Sequence, residues 1–167
     1  RDISYYYLTV SPQIIILSDD PVCIDDTLKL SEAGGYATMW TWTSNGSATI
    51  IDFEDSTTRV VGMTNGEIFT VSVEDDNGCT NSDDISITVN PKPSNVTSNA
   101  YGTHCSSDAP FALAGGSPVG GYYDGPGVSN NSYDPSSAGY GSTLVVVDLM
   151  YFYTDANGCK DTAINPV

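Results

Sequence analysis

The sequence predicts an all-β chain built as two tandem sandwich units. Three observations predict it. Apolar and polar residues alternate with a period of two through short segments, Asn-Gly turn signals separate those segments, and the pattern repeats itself after about 80 residues. Strand side chains point to opposite faces in turn, so alternation marks a strand with one buried face.

The repeat is most visible around the cysteines. Glu74-Asp75-Asp76-Asn77-Gly78-Cys79-Thr80 aligns with Thr154-Asp155-Ala156-Asn157-Gly158-Cys159-Lys160. Each follows a strand-like run, Phe69-Thr70-Val71-Ser72-Val73 in one case and Leu144 to Tyr153 in the other. Upstream, Pro21-Val22-Cys23 precedes the alternating run Thr27-Leu28-Lys29-Leu30, as His104-Cys105 precedes Phe111-Ala112-Leu113. The cysteine intervals are 56 and 54 positions. The division falls at Asn90-Pro91-Lys92-Pro93, where each proline removes a backbone donor and favours an extended joint. The expected organisation is a surplus strand over 1–12, a first domain over 13–90 and a second over 91–167.

In the first domain, strands are expected at Ile14–Leu17, Thr27–Leu30, Thr38–Thr43, Thr49–Asp52, Arg59–Gly62, Ile68–Val73 and Ile85–Val89. Trp40 and Trp42 share one face by the period of two. Asn45-Gly46, Asn65-Gly66 and Asn77-Gly78 supply turns. Even spacing of about seven short strands is the pattern of an immunoglobulin-like sandwich. The second domain is denser in turns, through Gly115-Gly116-Ser117-Pro118-Val119-Gly120-Gly121 and Asp124-Gly125-Pro126-Gly127. Its main strand is expected over Thr143–Thr154, where nearly continuous apolar residues suggest burial on both sides or an interface, with Asp148 the exception.

The two domains differ at their ends. After Cys159 only Lys160 to Val167 remain, so the second domain is expected to lack a last strand. The first twelve residues hold a surplus one, and Asp2-Ile3-Ser4-Tyr5-Tyr6-Tyr7-Leu8-Thr9-Val10 is laid out like Asp84 to Asn90. An edge of the second domain would then be completed by Ile3, Tyr5, Tyr6, Tyr7, Leu8 and Val10 of a preceding module or neighbouring copy. The tyrosines suit an interface.

Composition narrows the function. Charged residues make up 16%, and 21 acidic against 5 basic residues give a formal charge of −16. Such a surface repels nucleic-acid phosphates and anionic membranes. No stretch approaches the roughly 20 apolar residues that span a bilayer. The start, Arg1-Asp2-Ile3, reads as part of a longer protein.

Four cysteines allow three pairings, and the repeat favours Cys23–Cys79 and Cys105–Cys159. Each would close a loop worth about 4 kcal/mol in the chain-entropy model. Zinc does not fit, since no two cysteines are close in sequence and His104 is the single histidine. Disulfides place the chain in an oxidising, extracellular compartment.

No catalytic constellation is found. A Ser–His–Asp triad would have to use His104 beside Cys105. The glycine-rich stretches lack the Lys-Ser/Thr of a phosphate loop. The chain is therefore expected not to be an enzyme and to need no cofactor, calcium aside. Asp75, Asp76, Asn77, Asp155 and Asn157 are candidate calcium ligands, with Asp25 and Asp26 a further acidic pair; the other reading is that they are turn residues. Trp40 and Trp42 offer a sugar-stacking surface, or else a core in which one of them packs over the disulfide.

Cys23 with its alternating strand, Trp40-Thr41-Trp42, Ser44-Asn45-Gly46 and Asp76-Asn77-Gly78-Cys79 resemble the PKD-like and Ig-like repeats of giant Bacteroidetes surface proteins. Phe111 to Gly121, Gly125-Pro126-Gly127-Val128, Asp134-Pro135 and Tyr153 to Cys159 resemble them more closely still. The resemblance spans nearly all the chain from Pro21. It implies export by the type IX system and a role as an adhesin, a gliding-motility filament or a stalk. Partners would be other copies or neighbouring modules of the same protein, and surface glycans. It also implies O-glycosylation at Asp-Ser/Thr-apolar sites: Thr27 and Thr162 fit, and Ser56 fits loosely.

Overall fold

The computed structural model describes residues 10–139 and 145–167. These contain strands, turns and no helix, and they divide into two compact units, one ending at Asn90 and the next starting at Pro91.

The first unit contains β1 (Ile16–Ser18), β2 (Val22–Cys23), β3 (Leu28–Glu32), β4 (Met39–Ser44), β5 (Thr49–Ile50), β6 (Thr57–Val61), β7 (Ile68–Glu74), β8 (Thr80–Ser86) and β9 (Val89–Asn90). One sheet has the order β1-β3-β6-β5, the other β4-β7-β8, and β2 runs parallel to β9. This is the four-against-three arrangement of a constant-type immunoglobulin sandwich, with β3 and β7 as its two central strands. Alternation does what the sequence predicts. In β4, Trp42 is buried and Trp40 half-buried, while Met39, Thr41 and Thr43 face solvent. Leu28 and Leu30 of β3, Val60 of β6, and Phe69, Val71 and Val73 of β7 close the core around Trp42. Those inward faces account for the sandwich through the apolar area they remove from water.

The expected strand Ile85–Val89 is divided. β8 pairs with β7 as far as Ser86, the buried Ile87 bonds on to Gly66 and Glu67 just before β7, and Val89 then pairs with Val22. The outer edge of β8 carries Asp83 and Asp84, a charge placement that discourages edge-to-edge pairing.

The second unit contains β10 (Phe111–Ala112), β11 (Tyr122–Asp124), β12 (Val128–Ser129), β13 (Ser132–Tyr133), β14 (Asp148–Thr154) and β15 (Lys160–Pro166). Its sheets have the orders β10-β13-β12 and β11-β14-β15, the same orders as β3-β6-β5 and β4-β7-β8. Leu113, Tyr123, Tyr133, Val147, Leu149 and Tyr151 form its core.

Two expectations are corrected here. The expected strand over Thr143–Thr154 falls partly outside the described residues; among those, 145–147 lie outside a strand and the strand runs from Asp148, alternating, with Leu149 and Tyr151 buried and Met150 and Phe152 half-buried. It is therefore a half-buried antiparallel strand, with Asp148 exposed at its start. And the residues after Cys159 do form a strand: β15 pairs with β14 from Thr154↔Lys160 to Asp148↔Pro166, the counterpart of β8 on β7. The strands of unit one without a counterpart strand among the described residues of unit two are β1, β2 and β9.

Candidate functional site

The structural repeat is sharpest at two turns. The Asp75 carboxylate accepts the backbone N–H of Asn77 at 2.8 Å and of Cys79 at 2.9 Å. The Asp75 N–H donates to the Cys79 carbonyl at 3.0 Å, and the Gly78 N–H to the Asp75 carbonyl at 3.0 Å. Asp155 repeats this with Asn157 and Cys159, both at 2.9 Å, and the backbone bonds are 2.9 and 3.1 Å. Gly78 and Gly158 have φ of 76° and 84°, the left-handed region that glycine enters without a steric cost. The N–H of Cys79 holds the Asp75 carboxyl below the usual carboxylate range, outweighing the opposing effect of burial, and Asn77 adds to it.

These bonds show how the candidate calcium ligands are used. Asp75 and Asp155 each direct an oxygen inward onto their own turn, while Asp76, Asn77 and Asn157 lie exposed. Among the described residues no group of three or more carboxylate, thiol or imidazole side chains converges. Asp26 likewise serves a turn through its N–H, which donates to the Cys23 carbonyl at 3.0 Å.

The expected disulfide pairing is overturned. Cys23 and Cys159 are the disulfide-bonded cysteines, and Cys79 and Cys105 carry free thiols. Topology supplies the reason. Cys23 lies beside Asn90 through the β2–β9 pairing, whereas Cys79 precedes the start of β8. β8 alone covers about 20 Å at the usual rise of about 3.3 Å per residue. A disulfide needs Cα atoms within about 7 Å, so Cys23 and Cys79 sit at opposite poles of their unit. The same strand order separates Cys105 from Cys159. Cys105 is exposed next to His104, whose ring packs on Phe111 at 4.4 Å at the start of β10; Cys159 is buried at the β14–β15 turn.

With Cys79 a free thiol, no disulfide lies under the tryptophans of unit one. The Trp42 indole N–H donates to the Asp55 carbonyl at 2.9 Å, within the aliphatic core. The Trp40 N–H donates to the Glu32 carboxylate at 3.0 Å, and its half-buried ring packs against the same core, whereas Trp42 is buried and presents no face for a sugar. A second buried carboxylate, Glu67, was not singled out from the sequence. It accepts bonds from the Ser44 hydroxyl, the Ala48 N–H at 3.0 Å, and the Thr64 N–H and hydroxyl at 2.9 and 3.1 Å. Burial raises its pKa, but these donors, the Ser44 hydroxyl foremost, outweigh burial and hold the group below its ordinary value. Its signal was present in Asn45-Gly46: a Cβ on Gly46 would lie 2.4 Å from the Glu67 carboxyl carbon.

In unit two the glycine-rich stretch wraps Tyr151. The Tyr151 hydroxyl donates to the Pro118 carbonyl at 2.6 Å and accepts the Gly121 N–H at 2.8 Å. A Cβ on Gly116 would meet the Tyr151 ring at 2.3 Å, and one on Gly121 the Phe152 carbonyl at 2.1 Å. His104 is part of the same small aromatic cluster. Its Nε2 lies 2.9 Å from the Tyr101 carbonyl and its Nδ1 3.4 Å from the Asp108 carboxylate, so both nitrogens face partners other than a serine.

Ile3, Tyr5, Tyr6, Tyr7 and Leu8, the expected donated strand, lie outside the described residues; Val10 is exposed. Of the glycosylation candidates, Thr27 is exposed, and Ser56, just before β6, and Thr162, in β15, are half-buried.

No family model matches the chain, and no curated protein is similar to it. Among solved structures, it is similar to the solution structure of the PKD domain from KIAA 1837 protein, at 16% identity and a TM-score of 0.43, over 52% of this chain and 93% of that one.

Proposed function

We propose that the chain is a structural repeat segment of an extracellular bacterial filament or surface adhesin, with modules joined head to tail and no catalytic role. The observation that carries this is repetition: the orders β3-β6-β5 and β4-β7-β8, the register of β7 on β8 and the Asp–Cys turn all recur in unit two. Repeated modules whose contacts are local are how solenoid and rod proteins build length. The oxidised Cys23 and Cys159 accord with an extracellular location, and no helix among the described residues is long and apolar enough to cross a membrane. The resemblance to Bacteroidetes surface repeats adds the type IX route and tandem immunoglobulin-like modules to the reading. Electron microscopy of the purified chain over a range of concentrations tests it. Strings of modules touching end to end are expected; separate particles at every concentration overturn it.

One observation favours a second reading, a carbohydrate-binding accessory module. Tyr122 and Phe152 stack at 5.3 Å and 16° on the outward face of the β11–β14–β15 sheet, with Tyr122 exposed. Such a flat aromatic pair stacks on sugar rings. Saturable binding on a glycan array that Tyr122→Ala abolishes would establish it; no binding to any glycan would remove it.

A further inference from the structure

The four cysteines are of two kinds. Cys23 precedes β3 and Cys105 precedes its counterpart β10, and each opens a turn in which a later N–H returns to its carbonyl, Asp26 to Cys23 at 3.0 Å and Asp108 to Cys105 at 2.9 Å. Cys79 and Cys159 close the acidic turns. The kinds also differ by pole. Cys79 lies at the pole from which the chain enters β1, since the Pro12 carbonyl, upstream of that strand, accepts a bond from Asn81 at 2.8 Å. Cys23 lies at the opposite pole, beside Asn90. In unit two, Cys105 follows His104, whose ring packs on Phe111 at the start of β10, whereas Thr97, near the start of the unit, bridges to Ser117 beyond the other end of β10.

The bonded cysteines, Cys23 and Cys159, are one of each kind, and so are the free ones. Cys79 occupies the frame that in Cys159 holds a bonded sulfur, at the upstream pole of the first unit. Cys105 occupies the frame of Cys23, at the downstream pole of the second, and is exposed. We propose that Cys79 and Cys105 are the halves of an intermolecular disulfide that joins copies of this chain end to end, Cys105 of one copy to Cys79 of the next. This rests on the head-to-tail reading above and adds a covalent link to it. The contact is heterologous, so it propagates instead of closing on itself. A formal charge of −16 on every copy opposes association, and a covalent bond holds where non-covalent contact is weak.

The chemistry balances with a small disulfide oxidant. One thiolate attacks the oxidant and forms a mixed disulfide, and the second thiolate displaces the remaining half. Two thiols lose two protons and two electrons, and oxidised glutathione is reduced to two molecules of thiol.

The test uses the whole chain with Cys23 and Cys159 oxidised, treated with oxidised glutathione at about 0.15 M salt, where the Debye length is about 8 Å. A ladder of oligomers is expected on a non-reducing gel, collapsing on reduction. Cys79→Ser alone and Cys105→Ser alone are expected to lose the ladder, whereas an equimolar mixture of the two variants gives a dimer and nothing larger. Mass spectrometry then finds the Cys79 peptide joined to the Cys105 peptide in that dimer. Thiols that remain fully alkylatable after oxidation, Cys79–Cys79 or Cys105–Cys105 peptides, or a Cys79–Cys105 bond within a monomer each overturn the proposal. Electron microscopy of the reduced chain separates the two readings. End-to-end strings without any cross-linked peptide leave the filament reading standing and sink the disulfide, and dispersed particles in both redox states sink both.

Discussion

The Asp75 carboxylate and the backbone N–H of Cys79 meet at 2.9 Å, and through that bond an acidic side chain fixes where a cysteine sits. The bond exists only with an acceptor at position 75. Asp75→Ala is therefore expected to lower the melting temperature of unit one, and Asp75→Asn, which keeps an acceptor oxygen, to lower it less. The charged form is favoured in the folded state, because the folded pKa lies below the ordinary value. The stabilisation is thus fully present above the ordinary carboxylate range and lost as pH falls through the folded pKa. Melting curves of the natural chain and Asp75→Asn should differ near neutrality and converge in acid. Since the oxygen is directed at the turn, added calcium or a chelator is expected to leave the curves where they are.

Glu67 gives a stronger test of the same kind. Four donors from Ser44, Ala48 and Thr64 converge on its two oxygens inside the sandwich. Glu67→Gln replaces one oxygen with an NH₂ that must face a donor, leaving unpaired hydrogen-bonding groups at a cost of about 1–3 kcal/mol. Urea unfolding at pH 7 measures it. The folded pKa is again depressed, so the difference between the natural chain and the variant should shrink as pH falls through the carboxylate range.

The two tryptophans separate core from surface. Trp42 is buried among Leu28, Leu30, Phe69 and Val71, while Trp40 is half-buried at the rim of the same core. Trp42→Ala is expected to cost about 3–5 kcal/mol, the usual range for removing a buried aromatic, and Trp40→Ala less. Equal losses, read by denaturant unfolding, would contradict this placement.

Much of unit one was legible because β3, β4 and β7 are each half-buried, and a period of two then appears directly in the residues. Trp40, Trp42, Val71 and Val73 fall on their inner faces as that period requires. The cysteine pairing was not legible, for a definite reason. A repeat identifies Cys79 with Cys159 and Cys23 with Cys105 as equivalent positions. Equivalence says nothing about adjacency, which depends on the pole at which each strand starts. Nor could alternation place the break after Ser86. Ile85, Ile87 and Val89 keep the same period while the chain passes from the β7 edge to the β2 edge.

The glycine-rich stretch of unit two looked like a string of turns, and its purpose lies in a residue some thirty positions downstream. Tyr151 fills the space that Gly116 and Gly121 leave, and its hydroxyl ties Pro118 to Gly121. Tyr151→Phe keeps the ring and leaves the Gly121 N–H without its acceptor, so a loss of about 1–3 kcal/mol is expected. Gly121→Ala is expected to cost more, because its Cβ would fall 2.1 Å from a backbone carbonyl of β14, which cannot swing aside as a side chain would. Combining the two should give less than the sum, since either change already releases the loop from the ring. A double-mutant cycle in denaturant measures this, and strict additivity would show that the hydroxyl and the glycine act independently.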